Sequence, residues 1–178
     1  DPAELARAGA IVLPGVGHAG RAADFLRSTG LVEPLEEAAL QRRVPVLGIC
    51  LGMQLMTDWL EEGDTAGLGW IGGRTVQLAV RDRRRFKVPN IGWSLVDAPA
   101  GNGAFAGQAA PTPYYFCHKY EVVGTDPADA VAAFTYEDER VAAIARGSLT
   151  GVQFHPEKSF AAGIGLIRDW LAAAGARR

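Results

Sequence analysis

The stretch from Val44 to Met56 constrains this chain more than any other. Val44-Pro45-Val46-Leu47 reads as a short buried strand, and Gly48-Ile49-Cys50-Leu51-Gly52 as a G-x-C-x-G turn that follows it. That spacing is the nucleophile elbow, with sulfur where a hydrolase would carry a serine hydroxyl. The glycines make sense if the turn is too tight for Cβ atoms on either side of Cys50. Such a turn pushes Cys50 out of the sheet and sets it at the N-terminus of a helix that starts at Leu51 or Gly52 and carries Met53 to Trp59. Free backbone N–H groups and the helix dipole there favour thiolate over thiol. A buried structural cysteine is the competing reading. A cysteine flanked by glycines at a strand-to-helix turn fits it poorly.

The rest of the chain can be read outward from that elbow. Ala10-Ile11-Val12-Leu13 is a continuous apolar run, as in a strand buried on both faces of a parallel sheet. Pro14-Gly15-Val16-Gly17 stops it with a glycine-rich loop whose N–H groups can donate to an anion. His18, just after, reads as a surface or supporting group. Helices are predicted over Ala22–Arg27 and Val32–Arg42. Strand, helix, strand, helix is the signature of an α/β fold, in which sites lie beyond the carboxyl ends of the strands. The Pro14–Gly17 loop and Cys50 can therefore face one crevice.

After Gly63 the pattern changes to extended segments: Arg74–Val80, Phe86–Val96, Tyr114–Val123, Val131–Tyr136 and Val141–Arg146, the last two close together as in a meander. Pro89 suits an edge or bend. Trp93 is either core or an exposed anchor at a partner surface. Arg81-Asp82-Arg83-Arg84-Arg85 reads as an exposed loop. Ser159 is a candidate N-cap for a last helix that puts Phe160, Ile164, Ile167 and Leu171 on one face. The tail Ala172–Arg178 is expected to fray.

At 178 residues, one domain with one core is expected across residues 1–178. Because Pro2–Ala8 leads straight into an apolar strand, that domain is expected to be N-terminally incomplete. A net charge of −2 gives no reason to expect nucleic acid or an anionic membrane as partner. Two cysteines, Cys50 and Cys117, are too few for a disulfide framework and point to a reducing, cytoplasmic setting. No apolar run approaches the ~20 residues of a membrane span. Two cysteines and three histidines do not fall at metal-ligand spacings, so neither a metal nor another cofactor is expected.

A thiolate nucleophile needs a base, and the base needs a group to orient it. His155-Pro156-Glu157 supplies both, because residues i and i+2 of an extended backbone share a face. Cys50, His155 and Glu157 are thus a candidate triad working through an acyl-enzyme. The N–H of Leu51 is one oxyanion donor, and the second comes from Val16 or Gly17. Losing one such donor typically costs ~3 kcal/mol of transition-state stabilisation.

Together, Pro14-Gly15-Val16-Gly17, Gly48 to Gln54 and Gly151 to Ser159 resemble the class I (triad) glutamine amidotransferases. Val88 to Trp93 and Tyr115 to Tyr120 are most similar to the glutaminase subunits of imidazole glycerol phosphate synthases. The resemblance implies a mostly parallel open sheet flanked by helices, flavodoxin-like, with a small antiparallel part. It implies that Cys50 attacks the side-chain amide of glutamine, that His155 moves protons and that Glu157 orients His155. It places Gln54, Glu62 and the backbone around His118, Lys119 and Tyr120 at the glutamine pocket, with Glu62 on the α-ammonium. It implies a (βα)8-barrel cyclase as partner, receiving ammonia in histidine biosynthesis, with Trp93, Tyr115 and Lys158 on the shared face. Three positions depart from the pattern: Asn90 stands where a His is usual, Ser94 where an Asn is usual, and Lys119 replaces a small hydroxyl residue. A paralogue serving another synthase, a cysteine hydrolase of related fold and an idle binding module are the rival readings.

Overall fold

The computed structural model describes residues 1–99, 103–107 and 111–175. Helix α1 (Pro2–Arg7) precedes strand β1 (Ile11–Leu13), helix α2 (Ala19–Ser28) and helix α3 (Val32–Glu36), which widens into a π turn over Glu37–Gln41. Strand β2 (Val46–Ile49) enters helix α4 (Leu51–Leu55). Strands β3 (Trp59–Leu60), β4 (Thr65–Ala66) and β5 (Arg74–Gln77) are short. Then come β6 (Asn90–Asp97), β7 (Thr112–His118), β8 (Tyr120–Val123), β9 (Ala130–Tyr136), β10 (Asp138–Arg146) and β11 (Leu149–Val152). Helix α5 (Phe160–Gly175) continues through residues 172–175, where fraying was expected; residues 176–178 lie outside the described residues.

The main sheet has the order β1-β2-β11-β10-β9-β6-β7. Its parallel part is β1, β2 and β11, in a register that aligns Leu13, Gly48 and Gly151 across the three strands. The other four strands extend it antiparallel. A second small sheet, β4-β3-β5-β8, holds the chain that leaves the elbow. All four residues of β2 are buried. Leu47 and Ile49 join a core with Tyr114, Phe116, Phe154, Leu166 and Trp170; Val46 joins a second core with Leu35, Ala39, Met53 and Met56. Each large apolar side chain so buried contributes roughly 1.5–3 kcal/mol. The strand carrying the nucleophile is thus fixed from both faces and both edges.

Four local expectations change. Strand β1 is not buried on both faces: it stands at the edge of the sheet, with Val12 exposed. Helix α4 stops at Leu55, and Trp59 lies in β3. The carbonyls a longer helix would use are taken: Leu68 N–H donates to Leu55 O at 2.7 Å, and Trp70 and Ile71 N–H donate to Met56 O at 2.9 and 3.0 Å. Thr57 Oγ1 donates back to Gln54 O at 2.9 Å and closes the turn.

Helix α5 is rotated from the face its hydrophobicity suggests. Phe160, Ile164 and Leu171 are exposed, while Gly163, Leu166, Trp170 and Ala174 face inward. Gly163 sets this phase, because a Cβ there would lie 1.8 Å from Pro156 O. Ser159, finally, turns its hydroxyl back instead of capping α5. It donates to His155 O at 2.6 Å and accepts from Tyr115 N–H at 3.0 Å.

Candidate active site

The elbow is built by exclusion of side chains. Cys50 has φ 51° and ψ −101°, a conformation L-residues rarely hold. A Cβ on Gly48 would lie 2.7 Å from the Gly52 backbone, and one on Gly52 would lie 1.9 Å from Leu13 O. The turn is therefore wedged against the end of β1, and glycine at both positions is a steric demand. Cys50 N–H donates to Val152 O at 2.7 Å, carrying the β2–β11 pairing one residue into the turn.

The thiol is buried, with 7% of Cys50 exposed. Burial pushes its pKa up to about 12; the Leu51 N–H, which donates towards the sulfur, opposes this but is outweighed. The nearby Cys117 and Glu157 raise it further, and Gln153 lowers it. The expectation of a resting thiolate is thus reversed. A one-turn helix offers too little dipole to offset the desolvation of the anion. Gln153 Nε2 donates to Sγ at 3.6 Å, and the thiol lies 3.9 Å from Cys117 O.

His155 follows the end of β11, next to β2. Its N–H donates to Tyr115 O at 2.8 Å, and the Ser159 bond holds its carbonyl. Nδ1 lies 2.6 Å from Glu157 Oε1. A carboxylate only accepts, so Nδ1 carries the proton and Nε2 is the nitrogen left for chemistry. His155 is buried; Glu157 is half exposed. Among the described residues the thiol bonds Gln153 and Cys117 and not the imidazole. Cys50 and His155 open on neighbouring cavities. One, of about 390 Å³, is lined by Pro14, Gly15, Val16, Ile49, His155 and Glu157. The other, of about 210 Å³, holds Cys50. Val16 lines both, so the Pro14–Gly17 loop is the wall they share. Among the described residues the N–H groups of Val16 and Gly17 have no hydrogen-bond partner, and Gly17 has φ 113°.

Gln54, Glu62, His118, Lys119 and Tyr120 all line the cavity of Cys50, together with Leu51. Gln54 Nε2 donates to Tyr120 O at 3.1 Å and to Gln153 Oε1 at 3.3 Å. His118 Nδ1 donates to Tyr120 O at 2.8 Å, and its Nε2 accepts from Asn90 Nδ2 at 3.1 Å. Both ring nitrogens are used by a neutral imidazole, and burial pushes the pKa of His118 down to about 4. A network thus runs from Asn90 through His118, the Tyr120 carbonyl, Gln54 and Gln153 to the sulfur. Glu62 Oε2 accepts from Ala19 N–H at 2.6 Å, at the start of α2.

Sequence reasoning missed Gln153 and Asn90 as part of this site. Gln153 is fully buried, two residues before His155 and beside Cys50; the alternation of a strand end could have singled it out. Trp93, Tyr115 and Lys158 form a separate cluster on the surface. Trp93 is 49% exposed, meets Tyr115 edge-on at 5.8 Å and stacks on Phe160 at 5.7 Å. Lys158 Nζ lies 5.8 Å from the Tyr115 ring centre. Among the described residues no group of His, Cys, Asp and Glu could hold a metal ion, and no helix is long and apolar enough to cross a membrane.

The profile of the family described as Glutamine amidotransferase class-I matches residues 2–171. The imidazole glycerol phosphate synthase subunit HisH of Rhodospirillum rubrum is 44% identical over 164 residues, 90% of this chain and 76% of that protein. Subunit HisH 2 of Methanococcus maripaludis is 35% identical over 174 residues, 98% of this chain and 85% of that protein. A crystal structure of a glutamine amidotransferase superposes with a TM-score of 0.74 at 15% identity, over 98% of this chain and 84% of that one. The structure of PurLQS from Thermotoga maritima superposes at 0.64 with 18% identity, over 92% of this chain and 79% of that one. The elbow, the His-Pro-Glu turn and the cavity between them thus sit in a chain that belongs to the class-I glutamine amidotransferase family.

Proposed function

We propose that the chain is a single glutaminase domain that hydrolyses glutamine to glutamate and ammonia and passes the ammonia to a cyclase subunit. The observation that carries this reading is the meeting of Cys50, the Leu51 N–H, Gln54 and Glu62 in one cavity, beside the His155–Glu157 bond. In this reading Nε2 of His155 takes the proton of the Cys50 thiol, and the sulfur attacks the side-chain amide carbon. The oxyanion that forms is held by Leu51 N–H and by Val16 or Gly17 N–H. His155 returns the proton to the amide nitrogen, the C–N bond breaks and ammonia leaves a glutamyl thioester. Water, deprotonated by His155, attacks the thioester; glutamate leaves and the thiol is restored. Glu157 keeps the imidazole in the required tautomer throughout.

Because the resting thiol is bonded to Gln153 and Cys117 and not to His155, sulfur and imidazole must be brought into contact before the first step. This supports low activity in isolation and activation when the partner moves the Pro14–Gly17 loop. The relatives named as subunits of imidazole glycerol phosphate synthase support a cyclase subunit as partner; in this reading it is a (βα)8 barrel. That partner uses the ammonia to make imidazole glycerol phosphate and release an aminoimidazole carboxamide ribotide, in the cytoplasm, during histidine biosynthesis. Trp93, Tyr115 and Lys158 are the surface assigned to it. The test is ammonia release from glutamine by the chain alone and with the cyclase of the same genome. Activity that appears with the cyclase and disappears in Cys50→Ala supports the reading. Turnover retained in Cys50→Ala, or equal with and without the cyclase, refutes it.

A further inference from the structure

We propose that the ammonium of Lys119 binds the α-carboxylate of glutamine, so that the substrate is read as a zwitterion between Lys119 and Glu62. The inference rests on the glutaminase reading and adds a side-chain charge to it. Two charged residues line the cavity of Cys50, Glu62 and Lys119, and their charges are opposite. Neither is ion-paired, to each other or to another group, among the described residues. His118 contributes no charge, because Asn90 and Tyr120 hold it as a neutral ring.

The two charges are held differently. Glu62 is anchored by the Ala19 N–H at 2.6 Å. Lys119 is exposed, and its Nζ lies 5.4 Å from the ring centre of Tyr120, another wall of the cavity. A lysine on a ring face keeps its ammonium available to a carboxylate while the stem stays placed. A free amino acid carries one charge of each sign on a single carbon. Its amide must reach Cys50, which leaves that carbon at the charged rim. With Glu62 taking the ammonium, Lys119 is the cation in the lining able to meet the carboxylate. A small hydroxyl at position 119 offers a hydrogen bond but no charge. The lysine therefore selects free glutamine over side-chain amides whose α-carboxylate is absent or blocked.

The experiment compares Lys119→Met, Lys119→Arg and the unmodified chain on L-glutamine and on L-glutamine methyl ester, in the full chain with its partner. Lys119→Met should raise KM for glutamine by about tenfold and leave kcat within about twofold, the pattern of a lost ground-state contact. Lys119→Arg should restore most of that KM, and the ester should be insensitive to both changes. Equal shifts on the two substrates, or no shift, overturn the proposal. Calorimetry of glutamine binding to Cys50→Ala, with and without Lys119→Met, gives a readout free of turnover. Binding that depends on Lys119, when the unmodified chain with its partner releases no ammonia, upholds the charge contact and sinks the glutaminase reading. Ammonia release with a KM indifferent to Lys119 does the reverse.

Discussion

Cys50 should alkylate far more slowly than a free thiol, although it borders a cavity. Alkylation proceeds through the thiolate, and burial pushes the Cys50 thiol up to about 12. At pH 8 its thiolate fraction is then ~10⁻⁴, against roughly 0.2 for a free cysteine of pKa ~8.5, a difference of about 10³-fold in rate. In Cys117→Ser, Cys50 is the only thiol left, since the sequence has two cysteines. Intact-mass kinetics with iodoacetamide between about pH 7 and 10, with N-acetylcysteine as reference, read the rate directly. The expected profile rises about tenfold per pH unit across that range without levelling. A plateau near pH ~8, or a rate within about tenfold of the reference, would refute the argument that desolvation outweighs the Leu51 N–H and the Gln153 amide at this sulfur.

Gly52→Ala should be far more damaging than Gly17→Ala. The first forces a Cβ to 1.9 Å from Leu13 O and should cost ~3 kcal/mol or more in chemical denaturation; the second meets nothing within 4 Å and should cost only the ~1–2 kcal/mol of a positive φ. Similar losses for the two would show that the elbow is not wedged as described. His118 makes stability depend on acid. The unfolded chain protonates it near 6.5 and the folded chain only near 4, so its contribution is whole above pH 6.5 and lost as pH falls to 4. That loss is about 3 kcal/mol, and His118→Gln should flatten the slope of unfolding free energy across this window relative to the unmodified chain. Glu157→Gln should keep the fold and lower kcat by roughly 10²–10⁴-fold, because an amide neither selects the Nδ1–H tautomer nor stabilises the imidazolium. An unchanged kcat would remove Glu157 from the chemistry.

The elbow was legible in the sequence because its constraint is local. Gly48 excludes a Cβ because the Gly52 backbone lies against it, a conflict contained in the motif; what presses on Gly52 is Leu13 O of β1, which the spacing of the glycines announces but does not name. The pairing of His155 with Glu157 was legible from their closeness in sequence, but not its geometry: Pro156–Lys158 is a 3-10 turn and not the extended backbone expected. The face of α5 was not legible. Phe160-Ala161-Ala162-Gly163-Ile164-Gly165-Leu166 is apolar or small all round, so hydrophobicity alone gives no phase. What orients the helix is a glycine pressed on the Pro156 carbonyl, a contact between segments that periodicity cannot register. The end of α4 was hidden likewise, because the N–H groups that take its carbonyls come from residues 68–71. The charge state of Cys50 was misjudged because burial depends on the whole sheet, whereas the turn that carries it is marked by the spacing of two glycines.

Tyr115 belongs to two worlds at once. Its ring is part of the aromatic surface with Trp93, Phe160 and Lys158, while its peptide groups grip the acid–base turn from both sides, the carbonyl at His155 and the N–H at Ser159. A visitor leaning on that surface would therefore tug on the imidazole's own backbone. The shortest mechanical link between the outside of this molecule and its proton carrier is one residue long.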